Sequence, residues 1–263
     1  MRCSMKTICL RDIRKHFMAQ PEKYLNLKKQ RGMTLLEIII VLGIIGTIAA
    51  GVVILAQRAY DSKAISDLVN NTNVVRTAMK EAYGPTGIYP ALDNANTLSL
   101  TDESISTTAA ASQPPVGKLY LLGKVSTTEA KNNISGNFFS VGGANLGTDA
   151  AAANRGYVVQ VNGLTQKQCR NVLNQVGNQW DFVEVINPMA AGAYNAGPID
   201  MTVAAAGYTA GNPAATPPTP ATMTATGIYR SLATTGGNNT ITPDAVIGAC
   251  DDNASNGIIL GSR

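Results

Sequence analysis

Glu37 is the one carboxylate inside residues 32–57, GMTLLEIIIVLGIIGTIAAGVVILAQ. A helix of about 20 apolar residues is long enough to cross a bilayer core. An unpaired carboxylate in that setting is penalised heavily, so Glu37 calls for a cationic partner, either nearby or on another copy of the chain. The chemistry open to it is therefore electrostatic pairing. Hydrolysis by a Ser-His-Asp set is excluded beyond residue 32, because the single histidine is His16. Asp251-Asp252 is too sparse for a calcium loop. No catalytic residue, metal ligand set or cofactor site is expected.

Charge places these residues across a boundary. Residues 1–32 carry nine Lys/Arg against Asp12 and Glu22, a balance of +7, which leaves −3 of the overall +4 for residues 33–263. A basic segment before an apolar run puts the N-terminus in the cytoplasm and the remainder across the membrane. The acidic balance beyond the run gives no reason to expect a nucleic-acid partner. The run exceeds the roughly 7 to 15 residues of a secretory h-region, and no A-x-A-like site follows it, so any cut is expected before it.

Four cysteines divide the same way. Cys3 and Cys9 lie in the basic leader, where the cytosol keeps thiols reduced. Cys169 and Cys250 are the only two in the exported part, so a disulfide between them is expected. Such a bridge stabilises by roughly 4.5 kcal/mol on the loop-entropy account.

The elements that hold these residues follow from pattern. Beyond the apolar run, Ile65, Leu68, Val69, Thr72, Val75, Met79, Ala82 and Tyr83 recur at helical spacing, while Asp61, Lys63, Asp67, Arg76, Lys80 and Glu81 occupy other faces as a solvated surface. One helix of roughly 75 Å is expected from about Met33 to Tyr83, stopped by Gly84-Pro85-Thr86-Gly87 and Pro90. Gly43, Gly46 and Gly51 serve either as small packing residues or as points where this helix loosens.

Residues 91–117 read as a polar connection, followed by a helical turn at Leu119–Leu122 and a short helix started by the Ser126-Thr127-Thr128-Glu129 capping box. Strands are expected at 138–141, 156–161, 180–186 and 257–260. Thr165 with Gln168 caps a helix that carries Cys169. Residues 207–226, with their Pro-rich part at 212–221, read as an exposed loop. Tyr229 and Leu232 mark a short helix, and Thr242-Pro243 starts a turn that delivers Cys250. The fold class is α+β: a long N-terminal helix packed on an antiparallel sheet, with a disulfide-closed C-terminal region.

Gly32-Met33-Thr34-Leu35-Leu36-Glu37, set between a basic leader and a long apolar helix, resembles the processing signature of type IV prepilins. The long leader and the methionine after the glycine resemble the type IVb subclass. Residues 38–58, Leu122-Gly123-Lys124, Glu129-Ala130-Lys131, Gly163-Leu164-Thr165-Gln166-Lys167-Gln168-Cys169 and Cys250 are similar to the major pilins of toxin-coregulated, colonization-factor and longus pili. The resemblance implies cleavage between Gly32 and Met33 by a prepilin peptidase, N-methylation of Met33, and pairing of Glu37 with the Met33 ammonium of a neighbouring copy.

It further implies a leader at 1–32, a transmembrane and filament-core segment at 33–56, an amphipathic segment at 57–83 and a head at 84–263. The implied life of the chain runs from a single-pass inner-membrane precursor to a homopolymeric surface fibre that serves aggregation, adhesion and host colonization. Implied partners are the prepilin peptidase, the inner-membrane assembly machinery, a minor pilin and a host epithelial surface. A minor pilin and a type II secretion pseudopilin share the N-terminal signature and stand as alternatives. A membrane-anchored periplasmic enzyme is the third, disfavoured by the missing histidine.

Overall fold

The computed structural model describes residues 34–263, so Gly32, Met33 and the leader, with Cys3, Cys9 and His16, lie outside the described residues. The chain divides into two compact units, Met1–Ala56 and Gln57–Arg263. In the first, the described residues are helical from Leu35 and none of them is buried. The helix α1 covers Leu35–Tyr83 without interruption, in keeping with a stretch that contains no proline. Its end is set by glycine: Gly87, at φ 64°, donates its N–H to the Tyr83 and Gly84 carbonyls, a conformation that residues with a Cβ rarely take.

The second unit is built on a five-stranded antiparallel sheet: β1 (Ser140–Ala144), β2 (Gly156–Leu164), β3 (Phe182–Ile186), β6 (Gly227–Arg230) and β7 (Asn256–Ser262). Their order is β1-β2-β7-β3-β6. Register stacks alternate side chains into cross-strand rows: Leu260 stands between Val159 and Val183, and Ile258 between Val161 and Val185. These rows share one core with Ile65, Leu68, Val75 and Met79 of α1, and with Cys169, Val172, Leu173 and Val176 of the helix Gln166–Val176. On the opposite face Val158, Phe182 and Ile259 pack with Met189, Ile199 and Met201. The sheet is thus covered on both sides, which explains why β7 reads as a continuous apolar run instead of alternating.

Shorter elements complete the unit. Helices α2 (Asn94–Ser99), α3 (Ser104–Thr107) and α4 (Pro115–Leu121) precede β1, α5 (Gln166–Val176) follows β2, and α6 (Pro243–Val246) precedes β7. A separate two-stranded ladder pairs β4 (Tyr208–Thr209) with β5 (Thr222–Met223).

Five expectations are corrected. Residues 91–117 hold helical turns, the first capped by Asp93, whose Oδ1 accepts the Asn96 N–H at 3.2 Å. The Ser126 box forms its bonds, with Glu129 Oε2 accepting the Ser126 N–H at 2.9 Å and Ala130 N–H reaching Ser126 O, yet no helix follows. Asn132 Oδ1 captures the amides of Ile134 and Ser135 instead, a local turn that competes with helix. Residues 207–226 contain the β4–β5 ladder and are not wholly loop. Tyr229 lies in β6, where the otherwise unpaired edge of β3 recruits it, and not in a helix. The strand anticipated at 138–141 runs instead over Ser140–Ala144, with Phe138 in an isolated bridge to Lys131.

Candidate assembly site

The first turn of α1 is organised by Thr34. Its carbonyl accepts the amides of Glu37 (3.0 Å) and Ile38 (3.3 Å), and its hydroxyl oxygen accepts the Glu37 amide at 3.3 Å. Thr34 therefore acts as an N-cap. Sequence reasoning passed over this residue, although Thr34-Leu35-Leu36-Glu37 has the T-x-x-E form of a capping box. Glu37 is exposed and sits in the first turn, where a negative charge complements the positive end of the helix. Among the described residues no donor bonds to its carboxylate. Gly32 and Met33, the other two residues of the expected site, lie outside the described residues.

From Leu35 to Leu55 the surface is apolar on every side. Leu35 is 77 % exposed, Leu42 62 % and Leu55 66 %, values that leave no buried stripe along this stretch. A helix apolar all round needs cover from lipid or from other helices. Thr47, its polar exception after Glu37, satisfies itself by donating its hydroxyl to Ile44 O at 2.9 Å. Nothing lies within 4 Å of a Cβ placed on Gly43, Gly46 or Gly51, so within one chain no packing requires glycine there.

The second unit supplies cohesion. Cys169 in α5 is bonded to Cys250, with Cα atoms 6.3 Å apart and both residues buried. The same helix holds the segment twice more: Arg170 Nε donates to Ala249 O at 2.8 Å, and Gln166 Nε2 to Cys250 O at 2.9 Å. Arg76 of α1 stacks its guanidinium 4.7 Å above the buried Trp180 ring, and Tyr157 donates its hydroxyl to Arg76 O at 3.2 Å. Burial of that phenol pushes its pKa up to about 12. The charges Lys63 and Asp67 pair with each other at 2.6 Å, and Glu81 pairs with Lys124 at 2.9 Å, all within one chain and exposed to water. Among the described residues no three of His, Cys, Asp and Glu converge on a common point.

Residues 27–53 match the profile of the prokaryotic N-terminal methylation motif, and residues 118–247 that of the toxin-coregulated pilus subunit TcpA. A toxin coregulated pilin of Vibrio cholerae serotype O1 (El Tor Inaba) is 41 % identical over 182 residues, covering 69 % of this chain and 74 % of that protein. The chain belongs to the toxin-coregulated pilin family. A second toxin coregulated pilin from Vibrio cholerae is 37 % identical over 181 residues, 67 % of this chain and 71 % of the relative. The major structural subunit of the bundle-forming pilus of Escherichia coli O127:H6 is 26 % identical over 174 residues, 60 % and 82 % of the two chains.

Among solved structures, the crystal structure of TcpA, a type IV pilin from Vibrio cholerae El Tor biotype, superposes with a TM-score of 0.54. It covers 76 % of this chain and 99 % of that one at 26 % identity. This pilin family is structural and not enzymatic. The expected type IVb kinship, the long helix on an antiparallel sheet and the Cys169–Cys250 closure all stand.

Proposed function

We propose that the chain is made as an inner-membrane precursor with residues 1–32 in the cytoplasm, cut between Gly32 and Met33 by a prepilin peptidase, methylated on the Met33 amine, and polymerised as the major subunit of a surface fibre. Residues 33–56 anchor the precursor and then form the filament core, residues 57–83 belong to the head side of the helix, and residues 84–263 form the head. Assembly machinery of the inner membrane, a minor pilin and a host epithelial surface complete the partners. The fibre serves aggregation, adhesion and host colonization.

The observation that carries this reading is Glu37, a carboxylate at the start of a helix whose apolar stretch from Leu35 to Leu55 has no buried face. Cleavage after Gly32 creates an ammonium four residues before it, and the same ammonium on a neighbouring copy is the cation it lacks. At about 4 Å and an effective dielectric near 20, such a pair attracts by roughly 4 kcal/mol. A copy docked at another axial offset leaves both charges without a partner, so the pair sets register.

The test is Glu37→Ala beside Glu37→Gln. Both variants are expected to lose the leader normally and to accumulate in the membrane, with at least a tenfold drop in sheared fibres. Wild-type fibre yield from processed Glu37→Ala chains overturns the pairing role. Mass spectrometry of wild-type fibres is expected to show a dominant chain starting at N-methylated Met33 and carrying one disulfide.

A further inference from the structure

The Pro-rich segment has no part in the assembly described above, yet it has an unusual surface. Between Thr202 and Tyr229 the sequence contains no Asp, Glu, Lys or Arg. Most of residues 212–222 are nevertheless exposed. Folded surfaces ordinarily carry charge on roughly a quarter to a third of their residues, which keeps them hydrated and apart. This stretch offers hydroxyls instead: Thr216, Thr219, Thr222 and Thr224, with Pro213, Pro217, Pro218 and Pro220 among them.

Prolines fix φ and remove amide donors, and the tip over 213–217 is a turn that bonds only to Asn212 at its own base. The ends of the segment are held by the β4–β5 ladder and by the Asn212–Thr219 bridge. The hydroxyls are not equivalent. Thr219 Oγ1 accepts the Asn212 amide at 3.1 Å, and Thr224 donates to Thr226 O at 2.5 Å. Thr216 and Thr222 are exposed and their hydroxyls bond to nothing among the described residues, but Thr222 lies in the β4–β5 ladder, whereas Thr216 lies at the tip with only alanines and prolines on either side. Small and imino-acid neighbours leave its oxygen open to a bulky electrophile. Chargeless Thr/Pro tracts of this kind are the composition of O-glycosylated stalks.

We propose that Thr216 is an O-glycosylation site, whose acceptor hydroxyl reacts with a lipid-diphosphate-activated sugar on the outer side of the membrane. Thr216 Oγ1 attacks the anomeric carbon, the new carbon–oxygen bond forms as the bond to the diphosphate breaks, the hydroxyl proton passes to a base on the transferase, and the lipid diphosphate leaves. The glycan supplies the hydration that charge supplies elsewhere on the surface. The assignment rests on the reading that the head is exported.

Intact-mass measurement of fibres sheared from the native cell tests it. The expected result is a mass excess of one or more sugar residues over the processed, methylated, disulfide-bonded chain, mapped to Thr216 by fragmentation that preserves side-chain linkages. Thr216→Val, which keeps the β-branched shape, loses the whole excess while fibre yield stays unchanged, and Thr219→Val retains it. Fibres whose mass equals that of the bare processed chain overturn the glycosylation proposal and leave the pilin reading standing. So does an excess that persists in Thr216→Val.

Discussion

Asn71 and Glu184 show how single polar groups are handled inside the head. Asn71 lies on the buried stripe of α1 and donates from Nδ2 to the carbonyls of Thr128 and Lys131, each at 3.1 Å. Replacing it with leucine removes both bonds and leaves the Lys131 carbonyl without a donor, while Thr128 O keeps the Lys131 amide, a loss of about 2 kcal/mol. The urea midpoint of residues 57–263 is expected to fall accordingly, and an unchanged midpoint would show that water takes over both bonds. Glu184 sits on the outer sheet face, paired across strands with Ile228 and Ile259. Burial raises its pKa above 4.5. An acid whose folded pKa is raised favours the folded state most below its unfolded value, and that contribution is lost as pH rises through the folded pKa. Glu184→Gln should therefore match the wild type near pH 4 and exceed it in denaturation midpoint at pH 7. Neither residue was legible from sequence, because Asn71 looks like an interruption of an apolar stripe and its partners stand 57 and 60 positions away. Glu37 was legible for the opposite reason: its surroundings are contiguous in sequence, and lipid-grade residues on both sides make one charge conspicuous.

Elements were readable where a local signal and the tertiary environment agreed. Thr165 and Gln168 are the clearest instance. Thr165 Oγ1 accepts the Gln168 amide at 3.4 Å while Gln168 Oε1 accepts the Thr165 amide at 3.0 Å, so two orphan donors at the start of α5 are satisfied reciprocally. Thr165→Ala is expected to destabilise the head by about 1 kcal/mol. Thr165→Ser should recover most of that, and circular dichroism melts of the two variants distinguish loss of the cap from loss of the methyl group. The Ser126 box carries the same signal and forms the same bonds, but Asn132 turns the chain before a second helical turn can add. A cap thus states where a helix can begin and not whether it propagates, since propagation depends on packing of the following turns. Tyr229 failed for a related reason. Two apolar residues three apart fit a helix or a strand equally, and the choice was made by the edge of β3, which only the assembled sheet supplies.

At the scale of the whole head, the Cys169–Cys250 bond joins α5 to the segment that leads into β7, the strand at the centre of the sheet. The bond spans a sequence separation of 81, so an open chain has a large conformational freedom to lose before these parts meet. Non-covalent contacts already fasten the same junction, Arg170 to Ala249 and Gln166 to Cys250, and the Cys250 amide is held separately by Ala225 O at 2.8 Å. The folded geometry therefore has support without the sulfur atoms, and the bridge acts chiefly on the unfolded ensemble. Its expected contribution is roughly 4.5 kcal/mol, a large share of the stability of an ordinary domain. Urea unfolding of residues 57–263, oxidised and as the Cys169→Ser/Cys250→Ser pair, should show two changes together. The midpoint falls in the open form, and the m-value rises, because a chain without the cross-link exposes more surface when it unfolds. A lower midpoint with an unchanged m-value would place the effect in the folded state, and equal midpoints would mean that the side-chain bonds of α5 alone close the head.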